Sequence, residues 1–180
     1  MSNSTFAALV VLWFIGTSSA MAKEPPPPTN DAQIVAIIGA ANDGEIAAGR
    51  LAKSKAASRE VKAFADKMVA DHTRLDNSAT GLAAKMRMRP ETTLGSERLK
   101  GSTILVQQRL SSLSGTEFDK AYVEAQIKGN QMVLDTLDQQ LIPNAKSSEL
   151  KAELQRARPV IAGLLQDAQQ LQLSLGSDSK

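Results

Sequence analysis

The sequence predicts an all-α protein: an antiparallel four-helix bundle with one extra short helix between the second and third long helices. Three observations carry that expectation. No apolar–polar alternation of the β type is sustained anywhere along the chain. Apolar residues recur instead at three-and-four spacing, and alanine is abundant. Four long amphipathic segments are joined mostly by short links, and such helices bury their stripes by packing side by side.

The chain opens on residues 1–22, which contain no charged side chain. Within them, residues 6–16 (FAALVVLWFIG) form one apolar block of 11, short of the roughly 20 residues a membrane-spanning helix needs. That is the length of a signal-peptide hydrophobic region. Ala20 and Ala22 form an Ala-x-Ala site that predicts cleavage after Ala22, with Ala20 as the other candidate. The alternative is an uncleaved N-terminal anchor; with no cysteine after the block, a lipoprotein anchor is excluded. The expected location is therefore periplasmic or secreted, with no transmembrane span in the mature form. Residues 23–30 hold four consecutive prolines, which favour an extended polyproline II spacer.

The first helix is expected over 31–55, capped by Asn30 or Asp31, with Ile34, Ile37, Ile38, Ala41, Ala48 and Ala52 as its stripe. Gly39, Gly44 and Gly49 weaken its propensity but allow close approach of a neighbour. The second is expected over 58–88, from a Ser58 cap to Pro90, with a stripe from Val61 and Phe64 to Leu82 and Met86. A short helix over 97–113 carries Leu99, Val106, Leu110 and Leu113. Thr116 and Asp119 are spaced as a capping box for a third long helix over 117–141, which stops before Pro143. One of its faces carries Val123, Ile127, Leu134, Leu137 and Leu141; the other carries Phe118, Tyr122, Ala125 and Met132. The fourth spans 148–175, with Leu150, Leu154, Ile161, Leu164, Leu165 and Ala168 on one stripe and Pro159 as an expected kink or break. These helices make one domain over 31–175, followed by a frayed tail over 176–180.

Composition narrows the chemistry. The 180 residues include no cysteine, which excludes a disulfide scaffold, a zinc–cysteine module and a thiol enzyme. Aromatics are 3%, and three of the six lie in the leader. That argues against aromatic-stacking nucleic-acid modules and predicts a core packed by alanine, leucine, isoleucine and methionine. A net charge of +2 also argues against nucleic-acid binding. The basic run Lys85–Arg89 complements a helix C-terminus, with contact to anionic lipid or polysaccharide as the functional alternative.

Three polar residues interrupt apolar stripes. At about 100° per residue, Glu45 falls about 20° from Ile34, and His72, the only histidine, about 20° from Val61. Asn130 breaks the Val123–Ile127–Leu134 face. All three are near mid-helix, so the expectation is one shared buried layer. A hydrogen-bonded cluster that fixes helix register is the first reading of that layer. A metal or acid–base site using Glu45 and His72, with Asn130 as an auxiliary ligand, is the alternative. Di-iron bundles require Glu-x-x-His on two helices, whereas Val69 stands three before His72. No catalytic residue and no cofactor is therefore assigned. Asp71 is expected to face solvent or cap a neighbour, since adjacent helical residues point about 100° apart.

With the helices placed, the chain resembles a large bacterial family of exported, ferritin-like four-helix proteins, filed as a domain of unknown function and labelled as outer-membrane or periplasmic. The matching stretches are 44–52 (GEIAAGRLA), 58–65 (SREVKAFA) with 68–72 (MVADH), 113–122 (LSGTEFDKAY) and the helix around Pro159. Glu45 and His72 fall on polar positions of that pattern. The resemblance also implies a His where Asn130 stands and another near Leu164, so this chain keeps about half of the family's polar set. The expected function is a non-enzymatic interaction or envelope-stress-related module, its partner an unidentified protein or envelope component. The alternative is a metal-binding bundle with a partial Glu/His centre.

Overall fold

A capping box starts the first helix. The Asn30 carboxamide oxygen accepts from the Gln33 N–H at 2.9 Å, and the Gln33 side chain accepts from the Asn30 N–H at 3.1 Å. The computed structural model describes residues 29–177; the leader, most of the proline spacer and the last three residues lie outside them. The elements are α1 (Asp31–Lys55), α2 (Arg59–Lys85), α3 (Leu94–Ser111), α4 (Gly115–Thr136), a π-helical segment (Leu137–Leu141), α5 (Ile142–Asn144) and α6 (Ser148–Ser177). Among the described residues there is no strand, and no helix is long and apolar enough to cross a membrane.

Two carboxylates set the direction of the chain. Asp31, in the first turn of α1, accepts from the backbone N–H groups of Lys146 at 2.8 Å and Ser147 at 2.9 Å, at the entry to α6. Asp119, in the second turn of α4, accepts from Ala57 at 3.0 Å and Ser58 at 2.7 Å, at the entry to α2. The starts of α1 and α6 therefore share one end of the molecule, and the starts of α2 and α4 the other. α1 packs against α2, α4 against α6 and α2 against α6, each pair antiparallel. α3 lies on α1 and runs in the same direction: the Glu91 N–H reaches Ala32 O at 3.0 Å before α3, and the Lys55 ammonium reaches Ser111 O at its end.

Several local expectations change. α2 stops at Lys85, short of Met88, because Arg87 takes a left-handed φ of 53°. The Arg87 and Met88 N–H groups then bond back to Ala84 O and Ala83 O, a Schellman closure made without glycine. The short helix starts at Leu94 under a Thr93–Ser96 capping box. α4 starts at Gly115, whose φ is +59°, and its N-cap Ser114 makes no side-chain bond. The expected Thr116–Asp119 box does not form because Asp119 faces across to α2. Helix also continues past Leu141 through Pro143, following a turn widened so that the Ile142 N–H reaches Leu137 O. The proline ring crowds the carbonyl four residues back, and a wider preceding turn accommodates it. α6 runs unbroken through Pro159 to Ser177; Pro159 and Gln155, whose carbonyl loses its donor, both lie on the exposed face.

The core gathers Ile34, Val61, Met68, Leu134, Leu150, Leu154 and Leu164, each burial stabilising by roughly 1.5–3 kcal/mol. Rings matter more than composition suggests, for Tyr122 and Phe118 are the largest fully buried side chains. Their rings stack at 6.1 Å, and Phe64 meets Tyr122 edge-on at 6.2 Å. Met132, expected on that face, is instead 50% exposed. Of the expected α3 stripe only Leu110 is buried. A Cβ on Gly49 would lie 2.7 Å from Val69 Cγ2 and 3.2 Å from Ala65 O, so α1 touches α2 there; one on Gly44 would meet Thr103 of α3 at 2.7 Å. Gly39 borders open space and serves no such approach.

The two-bond clamp predicts that Asp119→Ala lowers stability by about 2–3 kcal/mol, whereas Thr116→Ala, at an exposed position, changes it by less than about 0.5 kcal/mol. Urea unfolding of both variants measures the difference.

Candidate functional site

α4 presents three polar side chains one turn apart on its inner face: Tyr122, Gln126 and Asn130, all buried. Each carries a buried atom without a hydrogen-bond partner: the Tyr122 hydroxyl, Gln126 Oε1 and Asn130 Oδ1. Asn130 turns its Nδ2 back to the Gln126 carbonyl of its own helix at 2.9 Å. Opposite them, α1 supplies Glu45. Its carboxylate lies against α4 at Gly129, where an added Cβ would sit 2.9 Å from Oε1. A glycine at that position is what lets the carboxylate reach the helix backbone.

Glu45 keeps some exposure as a residue, but its Oε2 is shut off from solvent and has no partner. Burial pushes its carboxyl up from 4.5 to about 7, with a hydrogen bond from the Gln126 side chain pulling weakly the other way. The Tyr122 phenol is also raised, by burial first and then by the nearby Glu45 charge.

His72 of α2 is 1% exposed. Its Nδ1 lies 3.0 Å from Asn42 Oδ1 of α1. A carboxamide oxygen only accepts, so Nδ1 carries the proton and the buried, unpartnered Nε2 carries the lone pair. Burial holds the ring down from 6.5 to about 4, against a smaller opposing effect of the Asp71 charge. Asp71 itself is bonded by Lys67 at 3.0 Å and Arg74 at 2.6 Å, and its side chain is only 13% exposed.

The three interrupting residues do not meet as one set. Glu45 faces Gln126 and Gly129, beside Asn130, and lines a cavity of about 290 Å³ between α1, α3 and α4. His72 pairs with Asn42 and lines a larger cavity of about 580 Å³, bordered also by α2, the π segment and α6. The two cavities adjoin at Ala41, Leu99, Ser102, Met132 and Val133. Near the position where the resemblance implies another His, Leu164 is fully buried in the core. Among the described residues no group of three or more His, Asp or Glu side chains is placed to hold a metal ion. One carboxylate and one imidazole on separate cavities fall short of the three or four protein ligands of a zinc centre.

Sequence reasoning passed over Asn42 and Gln126. Gln126 had a readable signal, since it stands midway between Tyr122 and Asn130 at four-residue spacing. Asn42 lies three residues before Glu45, and only its partner His72 distinguishes it from a surface asparagine.

The family model described as Domain of unknown function (DUF4142) matches residues 16–171, and the chain belongs to that family. Comparison with curated proteins and with solved structures gave no match.

The two displaced pKa values act on stability in opposite directions. Between pH 4.5 and 7 the folded chain keeps a proton on Glu45 that the unfolded chain releases, so stability falls as pH rises. Between pH 6.5 and 4 the unfolded chain protonates His72 while the folded chain resists, so stability falls as pH drops. Each displacement is worth about 3 kcal/mol. Between about pH 4.5 and 6.5 the contributions of these two groups oppose each other. Glu45→Gln leaves stability rising with pH across that window, and His72→Gln leaves it falling. Urea midpoints measured from pH 4 to 7.5 check both slopes.

Proposed function

From membership of that family and the geometry above, we propose that the chain is an exported protein of the periplasm or envelope. In this reading it is a ferritin-like antiparallel four-helix bundle that works by contact rather than by catalysis. The connection supports the bundle assignment: α2 and α4 start at the same end, so α3 must carry the chain back along the molecule, and ferritin-like folds have one such long crossover. The leader with its Ala-x-Ala site supports export. The polar groups support a non-enzymatic role, because Glu45 and His72 line different cavities and the imidazole Nδ1 is committed to Asn42.

One observation carries the contact reading: the outward face of α3. Leu94 and Leu105 are each 67% exposed and Ile104 is 55% exposed. Exposed Arg98 and Arg109 flank them, with exposed Arg87 and Arg89 just upstream. Exposed aliphatics bordered by arginines fit an anionic membrane surface, where apolar side chains enter the headgroup boundary and guanidinium groups meet phosphates.

Purified mature protein should sediment with vesicles containing anionic phospholipid, less so as salt is raised, and not with neutral ones. Leu105→Glu should remove the binding without changing the stability measured by urea unfolding by more than about 0.5 kcal/mol. A protein that stays in the supernatant at low salt with both vesicle types overturns the membrane-contact reading. Stoichiometric metal in the purified protein, lost in both Glu45→Ala and His72→Ala, would overturn the non-enzymatic one.

A further inference from the structure

We propose that the larger cavity is a binding site for a small, uncharged apolar molecule carrying a hydroxyl group, which donates its proton to Nε2 of His72. The cavity holds about 580 Å³, within the roughly 300–1,000 Å³ of small-molecule pockets. Every long helix supplies an apolar wall: Ile37 from α1, Leu75 from α2, Leu99 from α3, Val133 from α4 and Ile161 from α6. Leu137 closes it from the π segment, and π-helical turns are rare and frequently sit at functional sites. The rim carries exposed Arg98 and Met132.

The head-group chemistry follows from His72. Asn42 fixes the ring's proton on Nδ1, so Nε2 of this cavity-lining residue is a pure acceptor, buried and without a partner. Only a donor satisfies it, which excludes a carboxylate as the inner group. Burial keeps the ring neutral above about pH 4, so the acceptor persists through the physiological range. A cationic donor would have to pass Arg98 and shed its water among apolar walls, and the one cavity-lining carboxylate, Glu153, is bonded to Arg156 at 2.7 Å. A hydroxyl provides the donor with the least desolvation cost.

The test uses the fact that the chain has a single histidine. Tag-free mature protein with ¹⁵N-labelled imidazole is titrated with 1-octanol, octanoate and octylammonium. The expected result is a saturable shift of the Nε2 resonance with octanol, and binding of the two charged analogues at least tenfold weaker. His72→Leu, followed by calorimetry, should bind octanol about tenfold more weakly, the loss of one net hydrogen bond. Ala41→Leu, which places a larger side chain in the cavity wall, should also weaken it. Should either variant fail to fold, the wild-type titration alone decides. No saturable Nε2 shift up to the solubility limit of octanol means water only in the cavity and overturns the proposal. Equal affinity for octanoate, or unchanged octanol affinity in folded His72→Leu, overturns it as well.

Discussion

Two aspartates, one in the first turn of α1 and one in the second turn of α4, each hold a pair of consecutive backbone N–H groups at the start of another helix. The rest of the architecture depends on that constraint. A carboxylate accepting two backbone donors fixes both position and approach angle, so the α1–α2 and α4–α6 hairpins are pinned together at opposite ends. Once the ends are fixed, α3 has no freedom of direction. It must run the length of the molecule, and it does so on α1 rather than within the core. This explains why α3 is poorly buried: it is a connection made helical, with Leu110 and Ser96 as its buried residues.

The clamped ends leave the middle as the place where polar groups are tolerated. There the usual accounting of buried hydrogen bonds does not close, since Glu45, Tyr122, Gln126, Asn130 and His72 each keep an unpartnered buried atom. Such atoms cost roughly 1–3 kcal/mol each in folding free energy. A domain that needed only stability would gain from aliphatic residues there. Glu45 and His72 respond to burial in opposite senses, one retaining a proton and the other refusing one, so both are uncharged together in mildly acidic solution. Neutrality, rather than ion pairing, is how this core accommodates them.

Much of the helical framework was legible in the sequence. The Asn30 cap and the Ile34-to-Ala52 stripe gave α1 its observed limits, and the Leu150-to-Ala168 stripe of α6 is the buried one. These are local signals, carried by periodicity and by residues three or four apart. The roles of Asp31 and Asp119 were not legible, because a residue that suits its own helix cap cannot announce that it will cap another. The left-handed Arg87 was hidden for a related reason: glycine is the usual mark of a Schellman end, and here tertiary packing imposes the conformation on arginine. At the candidate site, periodicity placed Glu45, His72 and Asn130 on inward faces, but their grouping depends on helix rotation and offset. Those are set by close contacts such as Gly49 on Val69 and Gly129 under Glu45. A shift of one turn separates residues that seem level in the sequence.

The ring cluster has an optical consequence. The sole tyrosine of the chain is fully buried, stacked on Phe118 and edge-on to Phe64, while the sole tryptophan, Trp13, lies in the proposed leader. Once the proposed leader is removed, near-ultraviolet circular dichroism above the phenylalanine bands would arise from one phenol in one fixed, asymmetric setting where α2 meets α4. On the proposed export reading, tryptophan emission would report whether the leader is still attached. With the proposed leader removed, the tyrosine is the one intrinsic label left, and it reports the packing of the centre.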